Sequence, residues 1–215
     1  KVGDEVVTYI ARNFEPYRGF PSFMQAAEKI LKDRPNCHII AIGADDVSYG
    51  RRPPQGTTYR QMWMDKVDLD MSRMHFVGTL PYEHLIRVLQ VSAAHLYLTY
   101  PFVLSWSSME AMATGCAVIG SDTQPVREVI QHGHNGFLVD FFDPEAIANQ
   151  VSEVLDAKDR MQKIRDQARQ DMIMKYDLAK LLPLHKNLII DVAEGRLPPP
   201  TDQKIQGLYD MKKAA

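Results

Sequence analysis

The residues of this 215-residue chain best suited to chemistry fall in two short stretches. Arg12 and Arg18 stand six positions apart in "RNFEPYRGF", a polar loop that leads into an amphipathic run. Two guanidiniums ahead of a helix start, whose first amides lack intrahelical acceptors, suit a phosphate or diphosphate. By spacing alone they suit a solvated loop equally well. The second stretch is "YPFVLSWSSMEAMATGCAVIGSD", positions 100 to 122. There Ser105, Trp106 and Ser107 bring hydroxyls and backbone amides to a helix start, again a setting for an anion. Glu110 follows among Ala111, Met112 and Ala113. It either faces a cleft and accepts hydrogen bonds from hydroxyls, as an acidic residue does with a ribose, or lies on an ordinary helix face.

Elements of regular spacing must hold these residues. "EVVTYIA" (5–11) reads as a strand, and Phe20, Phe23, Ala27, Ile30 and Leu31 recur at helical spacing between Pro21, suited to a first turn, and Pro35, which ends the helix. "HIIAIG" (38–43) is a second strand, which completes a βαβ unit with parallel strands. The polar text from Ala44 to Arg73 forms a long loop with one helix around 58–67. Strand "MHFVG" (74–78), helix 82–93, strand "AHLYLTY" (94–100) and strand "GFLVD" (136–140) continue the alternation. Asp143-Pro144-Glu145 caps a further helix carrying Ile147, Val151 and Leu155 on one face. More helical text runs to Val192, ahead of the proline-rich "EGRLPPPTDQ". The expected fold is a Rossmann-like, doubly wound parallel α/β sheet with helices on both faces. One domain covers 1–193, and a tail covers 194–215.

Composition narrows the function. The hydrophobic content of 45% supports a real core, and a net charge of −2 disfavours a broad nucleic-acid footprint. Cys37 and Cys116 sit in apolar runs without CxxC spacing and read as small buried hydrophobes. No run reaches the roughly 18 apolar residues of a membrane span, and a reducing, cytoplasmic setting is the default. The "DLD" at 68–70 reads as solvated loop, His132 and His134 as a surface turn, and the Met-rich "DMIMKY" as helix packing. Asp45 and Asp46 either touch a ligand or cap a turn. No GxGxxG follows the first strand, which disfavours a nicotinamide dehydrogenase.

From "YIARNFEPYRGF" through "MHFVGTLPYEHL" to the second stretch and "FFDPEAIA", residues 5–158 closely resemble the C-terminal, donor-binding half of the retaining GT-B glycosyltransferases related to glycogen and sucrose synthases and bacterial mannosyltransferases. The Glu-Ala-Met-Ala-x-Gly-x-x-Val-Ile core carries the resemblance most specifically. It implies metal-independent transfer from a nucleotide-diphosphate sugar, with no cofactor, in polysaccharide or lipid-linked glycan assembly. It also implies an acceptor-binding N-terminal domain outside these 215 residues, without which the chain transfers nothing. Membrane association is left open.

By the same resemblance, Arg12 and Arg18 hold the donor diphosphate and act catalytically, with Arg18, before Gly19, standing where the family usually has lysine. Glu110 matches the second glutamate of the Glu-x7-Glu signature, which binds the ribose. Thr79 and Leu80 neighbour the nucleobase, while the backbone of Ser105, Trp106 and Ser107 approaches the diphosphate and sugar. Two positions depart from the pattern: Phe102 occupies the first glutamate position and Ser105 replaces a usual glycine. A phenylalanine accepts no hydrogen bond from a sugar hydroxyl. The departure leaves three readings: a transferase with altered donor choice or rate, a non-catalytic nucleotide-sugar-binding or scaffolding module, or a sugar-nucleotide epimerase of the same fold. A phosphorylase would need a lysine for pyridoxal phosphate, and none lies in the second stretch.

Overall fold

The computed structural model describes residues 5–102 and 104–196, so the tail expected at 194–215 lies mostly outside the described residues. The chain divides into two compact units, Lys1–Ile173 and Met174–Ala215. In the first, β1 (Glu5–Asn13), β2 (Cys37–Ala44), β3 (Met74–Phe76), β4 (Ala94–Tyr97), β5 (Val118–Ser121) and β6 (Phe137–Val139) form one six-stranded sheet in the order β3-β2-β1-β4-β5-β6. Every neighbouring pair is parallel, with Thr8 opposite Ile40 on one side and His95 on the other.

Alternation along β1 shows why both faces must be covered. Tyr9 stacks on Phe23 of α1 (Phe20–Asp33), ring centroids 4.1 Å apart, and Phe14 stacks on Phe20 at 4.9 Å. Each such aromatic pair adds about 0.5–1.5 kcal/mol beyond the area it buries. Thr8, on the opposite face, bonds the Ser92 hydroxyl and His95 Nδ1, both at 2.8 Å. Ser92 caps the end of α3 (Tyr82–Val91), so α1 and α3 lie on opposite faces. The first face is completed by α6 (Pro144–Asp156), packed on α1, and the second by α4 (Trp106–Thr114), packed on α3.

The local signals act as their chemistry dictates. Pro21 lies in the first turn of α1, and the helix ends at Asp33, two residues before Pro35. The Asp143 side chain accepts from the Ala146 amide at 2.9 Å to start α6, a cap of about 1 kcal/mol. The polar insertion forms only the short α2 (Tyr59–Met64), started by a reciprocal Thr58–Gln61 capping box. After it, Arg73 donates to the carbonyls of Leu31, Arg34 and Cys37, which ties the β3 entrance to the turn after α1. β4 stops at Tyr97, three residues short of the apolar run, because the chain leaves the sheet there for the site loop.

The remaining α-helices among the described residues are α5 (Gln124–Arg127), α7 (Lys158–Tyr176) and α8 (Leu178–Ala193), and a short 3-10 turn covers Pro16–Arg18. Asp177 caps α8 by accepting from the Ala179 amide at 2.9 Å. Cys37 and Cys116 are buried free thiols, as their apolar context implies, and burial pushes Cys37 up to about 12. His95 is wholly buried, and that burial lowers it to about 3, which keeps the imidazole neutral. Among the described residues no helix is long and apolar enough to cross a membrane.

Candidate functional site: a cleft beyond the strand ends

The strand order reverses direction between β1 and β4. Chain leaving the carboxyl ends of these two neighbours departs to opposite faces, and the crevice left between them is where open α/β sheets bind ligands. Here it is a cleft of about 490 Å³. Its walls include Arg12 at the end of β1, Arg18 in the loop beyond, Thr79 and Leu80 after β3, and Phe102, Ser105, Trp106 and Ser107 after β4. Segments far apart in sequence thus contribute two guanidiniums, two serine hydroxyls and the amino end of α4 to one space.

The site side chains are held differently. Arg12 is exposed at the cleft. Arg18 is half-buried: its Nη1 donates to Thr99 Oγ1 at 3.3 Å, while its guanidinium carbon lies 5.3 Å from the Tyr49 ring centroid and 5.7 Å from that of Phe102. A planar guanidinium stacks on aromatic faces in a way an ammonium does not. Arginine at position 18 and phenylalanine at position 102 therefore make one arrangement, the ring taking up the face of the cation. Tyr9 anchors the same loop from below, its hydroxyl donating to the Arg18 carbonyl at 2.6 Å.

Gly19, with φ +69°, turns the chain from this loop into α1, and a Cβ built there would lie 2.4 Å from Leu98 Cβ. It therefore packs against the start of the β4 loop and does not line the cleft. Ser105 caps α4 through its Oγ, which accepts from the Ser107 amide at 3.4 Å; its own amide donates to the Tyr97 hydroxyl at 2.8 Å, and Ser108 Oγ donates to its carbonyl at 2.8 Å. Trp106, in the first turn, is 78% exposed. Glu110 lies one turn further along α4, outside the cleft walls, beside the hydroxyl of Tyr82. Desolvation and then that carboxylate raise the Tyr82 phenol above its ordinary value.

Three features of the site had little or no signal in the sequence. Glu15 is wholly buried, and its Oε2 accepts from the amides of Ser48, Tyr49 and Gly50 at 3.2, 3.0 and 3.1 Å, while Oε1 has no partner among the described residues. This clasp holds Tyr49 over Arg18. Tyr49 itself comes from the polar insertion, where only loop length hinted at a role. The third is the pairing of Tyr17 with Tyr100, edge to face at 5.6 Å, foreshadowed only by aromatics beside Arg18 and Phe102.

The acidic and histidine motifs stay apart from the cleft. Asp68 and Asp70 are exposed, and bonds from Ser72 and Arg73 hold Asp70 down at about 2. Asp45 pairs with Arg60 at 2.5 Å and Asp46 with Arg52 at 3.6 Å. His132 and His134 are exposed in a turn, and no group of three His, Cys, Asp or Glu among the described residues could hold a metal ion.

The fold and crevice define a Rossmann-like α/β domain of the GT-B kind. The chain belongs to the family "Glycosyl transferases group 1", whose model matches residues 1–171. It is 27% identical over 157 residues to D-inositol 3-phosphate glycosyltransferase of Corynebacterium efficiens, covering 71% of this chain and 35% of the relative. The structure of Anabaena HepE in complex with UDP-glucose superposes with a TM-score of 0.75 at 16% identity, over 88% of this chain and 49% of that one. The C-terminal domain of a glycosyl transferase group 1 family protein (LpcC) from Francisella tularensis superposes at 0.69 with 21% identity, over 81% of this chain and 88% of that one. The chain spans between 31% and 44% of the length of the curated relatives it matches.

Proposed function

We propose that this chain is the donor-binding half of a glycosyltransferase that moves a hexose from a nucleotide-diphosphate sugar to an acceptor, with retention at the anomeric carbon and without a metal. The observation that carries the reading is the convergence of Arg12, Arg18 and the amino end of α4 on one cleft at the strand-order reversal. Charge develops on the leaving diphosphate, and fixed cations facing it stabilise that charge as a divalent ion would. Arg12 and Arg18 fill this role, and the bond to Thr99 and the two flanking rings already orient Arg18. Glu110, one turn along α4 beyond the cleft wall, is assigned the ribose hydroxyls, which must then project from the cleft toward it, while Thr79 and Leu80 border the base. The complex of HepE with UDP-glucose supports a sugar-nucleotide ligand.

In this reading residues 1–193 form the donor domain and the remainder is a tail. The acceptor is bound by an N-terminal domain supplied by a longer chain, a requirement that makes the 215 residues alone inactive. The match to an isolated C-terminal domain supports this division. The setting is cytoplasmic, and nucleic acid is no partner.

Calorimetric titration with UDP, GDP and ADP tests the reading. One nucleotide should bind selectively, and both Glu110→Ala and the Arg12→Ala/Arg18→Ala double variant should abolish the binding. A folded chain that binds none of the three would refute a donor site here. Turnover by the isolated chain would refute the two-domain division. A longer protein that holds nucleotide yet transfers to no acceptor would favour the non-catalytic module.

A further inference from the structure

Trp106 is the largest exposed side chain on the cleft, and the donor reading draws on its backbone alone. It is the first residue of α4 and lines the cleft, yet it is left 78% exposed. A single exposed apolar side chain is ordinary on a protein surface. This one differs in standing on a cleft wall between two hydroxyls: Ser105 Oγ and Ser107 Oγ lie 3.1 Å from each other, and both residues line the same wall. The other tryptophan, Trp63, is half-buried against the core, with Lys66 Nζ 4.9 Å from its ring centroid.

Stereochemistry says what stands beside such a ring. With retention, the acceptor oxygen bonds to the anomeric carbon on the face from which the diphosphate departs. The bond from that carbon to the diphosphate oxygen breaks, its electron pair leaves with the diphosphate, and the acceptor's proton passes to a phosphate oxygen. The acceptor therefore enters alongside the diphosphate and not from the far side of the donor sugar. A diphosphate held at the amino end of α4 has Trp106 as its neighbour in that helix.

We infer that the Trp106 indole is an acceptor platform on the donor domain, and that the acceptor is a glycosyl residue whose C–H face stacks on the ring while Ser105 and Ser107 meet its hydroxyls. The inference rests on the retaining sugar-transfer reading of the cleft. A pyranose has an apolar face and a polar rim, which suits a flat exposed ring accompanied by a few placed polar groups. A protein surface closing over the indole would have to supply partners for both serine hydroxyls as they left water. The remainder of the acceptor falls to the N-terminal domain.

The indole N–H signals of the isotope-labelled chain test this, since Trp106→Phe removes one of the two and so assigns it. With nucleotide saturating, methyl glycosides of glucose, galactose, mannose and N-acetylglucosamine are titrated in turn, with glycerol as a polyol that has no ring face. At least one glycoside should shift the Trp106 signal and leave that of Trp63 in place, and its C–H protons should receive saturation from the aromatic region. Glycerol should move neither signal. Trp106→Ala should weaken that glycoside roughly tenfold, and Trp106→Phe, which keeps a smaller ring, by less. Comparing every variant at saturating nucleotide keeps any change in nucleotide affinity out of the readout. A Trp106 signal that no glycoside moves, or a glycoside that binds wild type and Trp106→Ala equally, would overturn the platform, leave the donor reading intact and return the indole to a contact with protein. A chain that binds none of UDP, GDP and ADP would overturn the donor reading, and the platform with it.

Discussion

Glu15 gives the sharpest test of how the cleft is built. Its Oε2 accepts three successive backbone amides, from Ser48, Tyr49 and Gly50, at 3.0 to 3.2 Å, and the side chain is wholly buried. Hydrogen bonds to a charged group contribute about 1.5–3 kcal/mol each, so three would total roughly 4.5–9 kcal/mol if none could be replaced. Ser48 and Tyr49 are exposed, however, and once released their amides can turn to water. A loss of about 2–4 kcal/mol is therefore expected for Glu15→Ala, and about half that for Glu15→Gln, which keeps an acceptor but drops the charge. With a urea slope of about 2 kcal/mol per molar, the alanine variant should unfold at a midpoint lower by about 1–2 M. Freed from the clasp, Tyr49 no longer flanks Arg18, so nucleotide affinity should fall in both variants even well below their midpoints. An alanine variant with an unchanged midpoint and unchanged affinity would show that the clasp holds neither the loop nor the site.

Two other perturbations probe the frame around the cleft. Gly19→Ala combines a left-handed φ of +69° with a Cβ placed 2.4 Å from Leu98 Cβ, so it should destabilise by about 3 kcal/mol or more and lower the melting temperature; an unchanged melting temperature would refute the close approach. Burial lowers His95 to about 3 in the fold, whereas it titrates near 6.5 when unfolded, so between those pH values the unfolded chain takes up the proton and the folded one does not. Stability should fall as pH drops from about 6.5 toward 3, by up to about 1.4 kcal/mol per unit from this group, and urea midpoints for His95→Gln should lose that share of the slope.

Alternating runs and caps make the sheet and its helices legible in the sequence. Pro21, Pro35 and Asp143-Pro144 delimit α1 and α6 through local chemistry that needs no tertiary context. The basic half of the cleft was legible too, because Arg12 and Arg18 follow a strand and the signature stretch contributes the α4 end. What the sequence could not show is pairing across distance. Nothing near Glu15 announces that its carboxylate meets amides 33 to 35 residues later. Phe102 read as the loss of a carboxylate, whereas the fold sets its ring beside Arg18 and Tyr49. Strand ends shifted for the same reason, since pairing partners rather than apolar runs decide where β4 stops.

The strand order carries a consequence for the order of assembly. β1 pairs with β4 through contacts such as Thr8 with His95, across a gap of 87 residues. Closing so long a segment is slow compared with joining β1 to β2, whose connection is local. The β1–β2–β3 half can therefore form before β4 is in place, but it has Arg18 without Thr99 and Tyr49 without Phe102. The crevice comes into being only when β4 docks, after the ribosome has delivered the signature stretch. Ligand capture by a nascent or refolding chain thus reports that the two halves of the sheet have met.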